Sequence, residues 1–106
     1  MTLQRTWPKS LPLLAAGLLA ACASVENAAP RVETLTASTS GPHRAQLEQG
    51  RTLYVTKCAK CHAPEPIRNY SASRWETILH EMIEEAKLDQ GEAGAVRAYV
   101  SAALRG

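Results

Sequence analysis

The chain has 106 residues, with 12 Lys/Arg against 10 Asp/Glu, three cysteines and no phenylalanine. Two of the basic residues, Arg5 and Lys9, lie in the first 21 positions, and without them ten basic side chains face ten acidic ones. Such a balance argues against nucleic acid as a partner and against a polybasic membrane tether.

Residues 1–21 have the pattern of an export signal. Arg5 and Lys9 give a positive start, and Leu11 to Leu19 give a short apolar run. That run falls short of the roughly 20 apolar residues that a bilayer span needs. The segment ends Leu19-Ala20-Ala21-Cys22, which resembles the lipobox of bacterial lipoproteins. The resemblance implies cleavage before Cys22, with lipid then carried on its thiol and on the new amino terminus. The plainer alternative is an ordinary cleavage site at Ala20 and Ala21 that leaves Cys22 as an odd thiol. Ala23 follows where an aspartate would signal retention at the inner membrane. The expected location is therefore the periplasmic side of the cell envelope, held by lipid to the outer membrane.

Residues 22–43 are small and polar, without sustained apolar periodicity, and read as a flexible lipidated tether. A coil of about 20 residues spans on the order of 25 Å, or roughly 70 Å when straight.

Residues 44–106 form the expected domain. So short a segment rarely builds enough core unaided and usually needs a staple. Three helices can be read in it, and no strand pattern competes. The first runs over about 45–60, with Leu47, Leu53 and Tyr54 as apolar positions. Gly50 interrupts it at a cost of about 1 kcal/mol, which suggests close approach by another helix, with a tolerated flaw as the plain alternative. The second opens at Ser73 with Glu76 three residues later, a capping-box pattern. It continues with Trp75, Ile78, Leu79, Met82, Ile83 and Ala86 on one stripe. The third starts near Asp89, repeats the box with Glu92, and aligns Val96, Tyr99, Val100, Ala103 and Leu104.

Between the first two helices lies Cys58-Ala59-Lys60-Cys61-His62. This is C-x-x-C-H, the attachment signature of c-type haem: two thiols add across the haem vinyls, and the adjacent histidine reaches the iron. A zinc site would want two further close ligands, and only His43 and His80 remain. A dithiol redox pair would want a βαβ setting that the chain lacks. With Cys22 assigned to lipid, no cysteine is left for a disulfide. Pro64 and Pro66 mark the loop leaving the motif, and Ile67 to Tyr70 are placed along the haem edge. Tyr70, Arg74 and Trp75 are expected as haem-edge or propionate neighbours, with ordinary packing or surface charge as the plain alternative. Arg51, Lys57, Lys60 and Arg68 form either a docking patch or simply solvated surface.

Residues 44–106 resemble a small monohaem cytochrome c of the class I type. The resemblance rests on Gly50 and Tyr54 ahead of the motif, on the motif itself, and on Arg97-Ala98-Tyr99-Val100 in the last helix. It implies an all-α fold of about three helices around one covalent haem c, with Gly50 and Tyr54 meeting Val96 and Tyr99. His62 is the expected proximal iron ligand. Met82, the one methionine after Met1, is the expected distal ligand, because Trp75-x-x-x-Leu79-x-x-Met82 is similar to a subset of these cytochromes. Core filling is the alternative role for Met82. His80 is two residues away, about 200° around the helix, and is expected either in solvent or near a propionate.

The expected function is single-electron transfer between redox partner proteins: a dehydrogenase, a respiratory complex or another cytochrome. The protein would be a carrier and not an enzyme. Two alternatives are a haem sensor with an open or displaceable sixth position, and a dedicated haem subunit of a larger oxidoreductase.

Overall fold

A computed structural model describes residues 25–35, 41–58 and 63–106. The export signal, Cys22 and motif positions 59–62 lie outside the described residues. Among the described residues, three long helices carry the fold: α1 (Gly41–Val55), α2 (Ala72–Glu85) and α3 (Gln90–Arg105). Short 3-10 turns at Val32–Thr34 and Ile67–Asn69 flank α1 and precede α2. No strand occurs among the described residues, so the expected all-α class holds.

Helix α1 begins earlier than its apolar pattern suggests. Gly41 takes a positive φ of 76°, and Pro42 follows in the first turn, where its missing N–H costs nothing. His43, expected in the tether, is therefore exposed in the first turn of α1. The helix also ends sooner, at Val55. Beyond it Thr56 Oγ1 bonds back to the Thr52 carbonyl at 2.6 Å, and the Cys58 amide closes onto the Leu53 carbonyl at 3.1 Å.

The α1–α3 crossing is the most extensive helix contact, and Gly50 makes it possible. A Cβ built on Gly50 would run into the Ala95 carbonyl group and come within 2.7 Å of Tyr99 Cβ. Tyr54 and Tyr99 meet one turn further on, with ring centroids 6.3 Å apart. Of the two expected partners on α3, Tyr99 meets both Gly50 and Tyr54, while Gly50 abuts Ala95 in place of the expected Val96.

Helix α2 is capped by Ser71, whose Oγ accepts from the Arg74 amide at 3.2 Å. The expected Ser73–Glu76 box does not form. Trp75 explains the earlier start: its amide bonds to the Ser71 carbonyl at 3.0 Å, and its indole N–H bonds to the Ile67 carbonyl at 2.6 Å. At the other end, Lys87 N–H returns to Glu84 and Leu88 N–H to Ile83, which is a Schellman closure. Lys87 occupies its left-handed position with φ 55°, where glycine is usual. Helix α3 opens with the expected capping box: Asp89 Oδ1 accepts from the Glu92 amide at 2.8 Å, and Glu92 Oε1 from the Asp89 amide at 3.1 Å.

Residues 28–35 differ most from expectation. Read as part of a tether, they pack against the domain, with Ala28, Ala29, Val32 and Leu35 buried. Ala29, Val32 and Leu35 recur every third residue, the spacing that places side chains on one side of a 3-10 turn. The domain therefore extends upstream of residue 44.

Candidate cofactor site

Cys58 stands three residues past the end of α1, half-buried against the core. Burial pushes its thiol pKa up, the opposite of what an activated redox thiolate requires. Cys61 and His62 lie outside the described residues.

The loop leaving the motif is fixed by aromatic hydroxyls and by Trp75. Tyr54 O–H donates to the Glu65 carbonyl, and Tyr70 O–H to Glu65 Oε2 at 3.3 Å. Burial raises the Tyr54 phenol well above its ordinary range, so it remains a donor at any physiological pH. Trp75 is only 1% exposed and lies edge-on to both Tyr54 and Tyr70, at centroid distances of 6.0 and 5.8 Å. Each such aromatic pair contributes on the order of 1 kcal/mol beyond area burial. An indole has one N–H, and here Ile67 accepts it. Trp75 therefore packs the core and has no hydrogen to offer a propionate. Arg74 is exposed at the start of α2.

The stripe on α2 is buried unevenly. Trp75 and Leu79 are in the core, whereas Ile78, Met82 and Ile83 are half-buried at its margin. Helix α2 meets α3 over a much smaller contact than α1 does, and it meets α1 through the Trp75–Tyr54 ring pair. Part of this stripe thus lacks close cover from the other helices. On the far side of α2, His80 is exposed, with its Nε2 3.5 Å from Glu84 Oε1. This agrees with its expected place in solvent.

The basic residues near the motif are largely occupied within the fold. Arg51 Nε donates to the carbonyls of Ala29 and Pro30, each at 3.2 Å. Lys57 Nζ is 3.0 Å from Glu92 Oε2. Arg68 Nε donates to the Ala103 carbonyl at 3.2 Å, near the C-terminal end of α3 where a cation is favoured. Three of the four residues suggested as a docking patch therefore have structural partners, while Lys60 lies outside the described residues.

A cleft of about 220 Å³ separates α2 from α3, lined in part by Trp75, Leu79, Val100 and Leu104. Among the described residues, no group of three or more His, Cys, Asp or Glu side chains could hold a bare metal ion. No helix among them is long and apolar enough to cross a membrane. The donors that fit a haem are the Cys58 thiol and the Met82 thioether, both half-buried at the rim of one core. No family model matches the chain, and no curated protein or solved structure matches it either.

Proposed function

We propose that the domain carries one covalent haem c and transfers single electrons in the cell envelope, tethered by lipid on Cys22. The carrying observation is the C-x-x-C-H motif placed directly after α1, with its first cysteine and Met82 both half-buried at the margin of one core. Cys58 and Cys61 would hold the haem through thioethers, and His62 and Met82 would hold the iron. When bound, the haem supplies a one-electron ferric/ferrous couple. A soft thioether paired with a histidine nitrogen would favour the ferrous state and raise the potential relative to two histidines.

The chain's own residues supply position and dryness. Tyr54, Tyr70 and Trp75 fix the loop from residue 63 to 70 that follows the motif. The Gly50 crossing sets the direction in which α1 delivers Cys58. Leu79 and the half-buried Ile78 present apolar surface beside Met82. No acid–base residue is required for electron transfer, and the exposed His80 takes no part. The partners would be a dehydrogenase, a respiratory complex or another cytochrome.

Intact mass of the exported protein after full denaturation tests the attachment. The expected result is one haem still bound, lost in the Cys58→Ser, Cys61→Ser double variant. A denatured protein of polypeptide mass alone contradicts the proposal.

A further inference from the structure

The N-terminal segment before α1 is built into the core. Ala29 and Val32 are fully buried, and Leu35 is nearly so. The Pro30 carbonyl accepts from Tyr99 O–H at 2.6 Å and from Arg51 Nε at 3.2 Å. Arg51 belongs to α1 and Tyr99 to α3, so this one carbonyl is gripped from both sides of the Gly50 crossing. Burial pushes the Tyr99 phenol up to about 12, which keeps the donor protonated throughout the physiological range. Glu33 adds a loose tie to Arg44 of α1 at 3.7 Å.

We propose that residues 28–35 are a docked strap that holds the domain close to the lipid surface. The inference rests on the lipid-anchored reading of Cys22. If the whole stretch from Cys22 to His43 were free, it would reach roughly 70 Å when straight. With the strap docked, only five residues lie between Cys22 and Ala28, a reach of about 20 Å at most. Residues 25–28 form a helical turn closed by Ala29 N–H on the Val25 carbonyl at 2.9 Å, which shortens the reach again. The domain then works within a thin layer above the membrane, where it exchanges electrons with a partner held in the same membrane.

Two insertions separate a docked strap from a free tether. Ten Gly/Ser residues are placed either between Ser24 and Val25 or between Ser38 and Thr39 of the full chain. Neutron reflectometry then measures the height of the lipidated protein on a supported bilayer. The upstream insertion should raise the domain by on the order of 15 Å, and the downstream one should leave it in place, because it lies beyond the strap. Equal rises would overturn the proposal.

Hydrogen exchange on the soluble Cys22→Ser protein tests the strap apart from the anchor. Amides in 29–35 should be protected, and Tyr99→Phe should speed their exchange about fivefold without changing α2. Exchange at free-coil rates in the unsubstituted strap would overturn it. Should the unsubstituted protein fail to sediment with membranes, the anchor reading falls together with the limit on reach. The exchange result would then decide the strap alone.

Discussion

The α1–α3 crossing and the outer part of the α2 stripe are built on opposite terms. At the crossing, Gly50 lets two backbones touch, and Leu47, Tyr54, Val96 and Tyr99 are sealed behind it. Its hydroxyl donors are satisfied by carbonyls of neighbouring segments, and the strap closes over it. Along α2, Trp75 and Leu79 reach the core, whereas Ile78, Met82 and Ile83 stop halfway into it. The difference teaches that the crossing is sealed by protein, whereas part of the apolar stripe of α2 is only half-covered. Under the proposed function, haem completes that cover.

The largest expected break in the comparison comes from Gly50→Ala. Its added methyl meets the Ala95 carbonyl group and Tyr99 Cβ, neither of which can rotate away. The expected loss is about 3 kcal/mol in denaturant unfolding, at the upper end for overpacking. A loss below about 1 kcal/mol would mean that the crossing is loose. On the other side, Lys87→Gly removes a left-handed lysine from the end of α2 and should stabilise by about 1 kcal/mol. No gain in midpoint would show that this helix end does not take part in cooperative unfolding.

A smaller effect concerns pH. Hydrogen bonds from the Asp89 amide and then from Lys57 hold the Glu92 carboxyl below its ordinary range. A depressed carboxylate stabilises the fold above the unfolded glutamate value, and this contribution is lost as pH falls through the lowered one. Thermal midpoints should therefore decline in mild acid, and Glu92→Gln should flatten that part of the curve. An unchanged acid slope in the variant would remove Glu92 from the account.

Much of this was legible in the sequence, and the failures share a physical cause. The Asp89–Glu92 box and the stripe of α2 could be read from local spacing, and a close approach at Gly50 from the cost of a glycine inside a helix. The strap was missed because its apolar residues are few and its stability comes from Arg51 and Tyr99, which lie far away in the chain. The threefold spacing of Ala29, Val32 and Leu35 was the one available signal. The cap of α2 was misplaced by two residues because two serines compete, and the Trp75 bond to Ile67, a contact outside the helix, favours the earlier one. For Trp75 the plain alternative of ordinary packing agrees with its burial and with an N–H satisfied inside the core. In the candidate site, the cysteine and histidine spacing is a sequence property, whereas the half-buried state of Met82 emerges only from the packing of α2.

The central claim is that Met82 completes what His62 begins. The visible spectrum of the ferric protein tests it most directly, in the unsubstituted chain and in Met82→Ala. The account predicts a weak near-red sulfur–iron band in the first and none in the second. A band absent from both, with carbon monoxide binding readily to the ferrous unsubstituted protein, would contradict it.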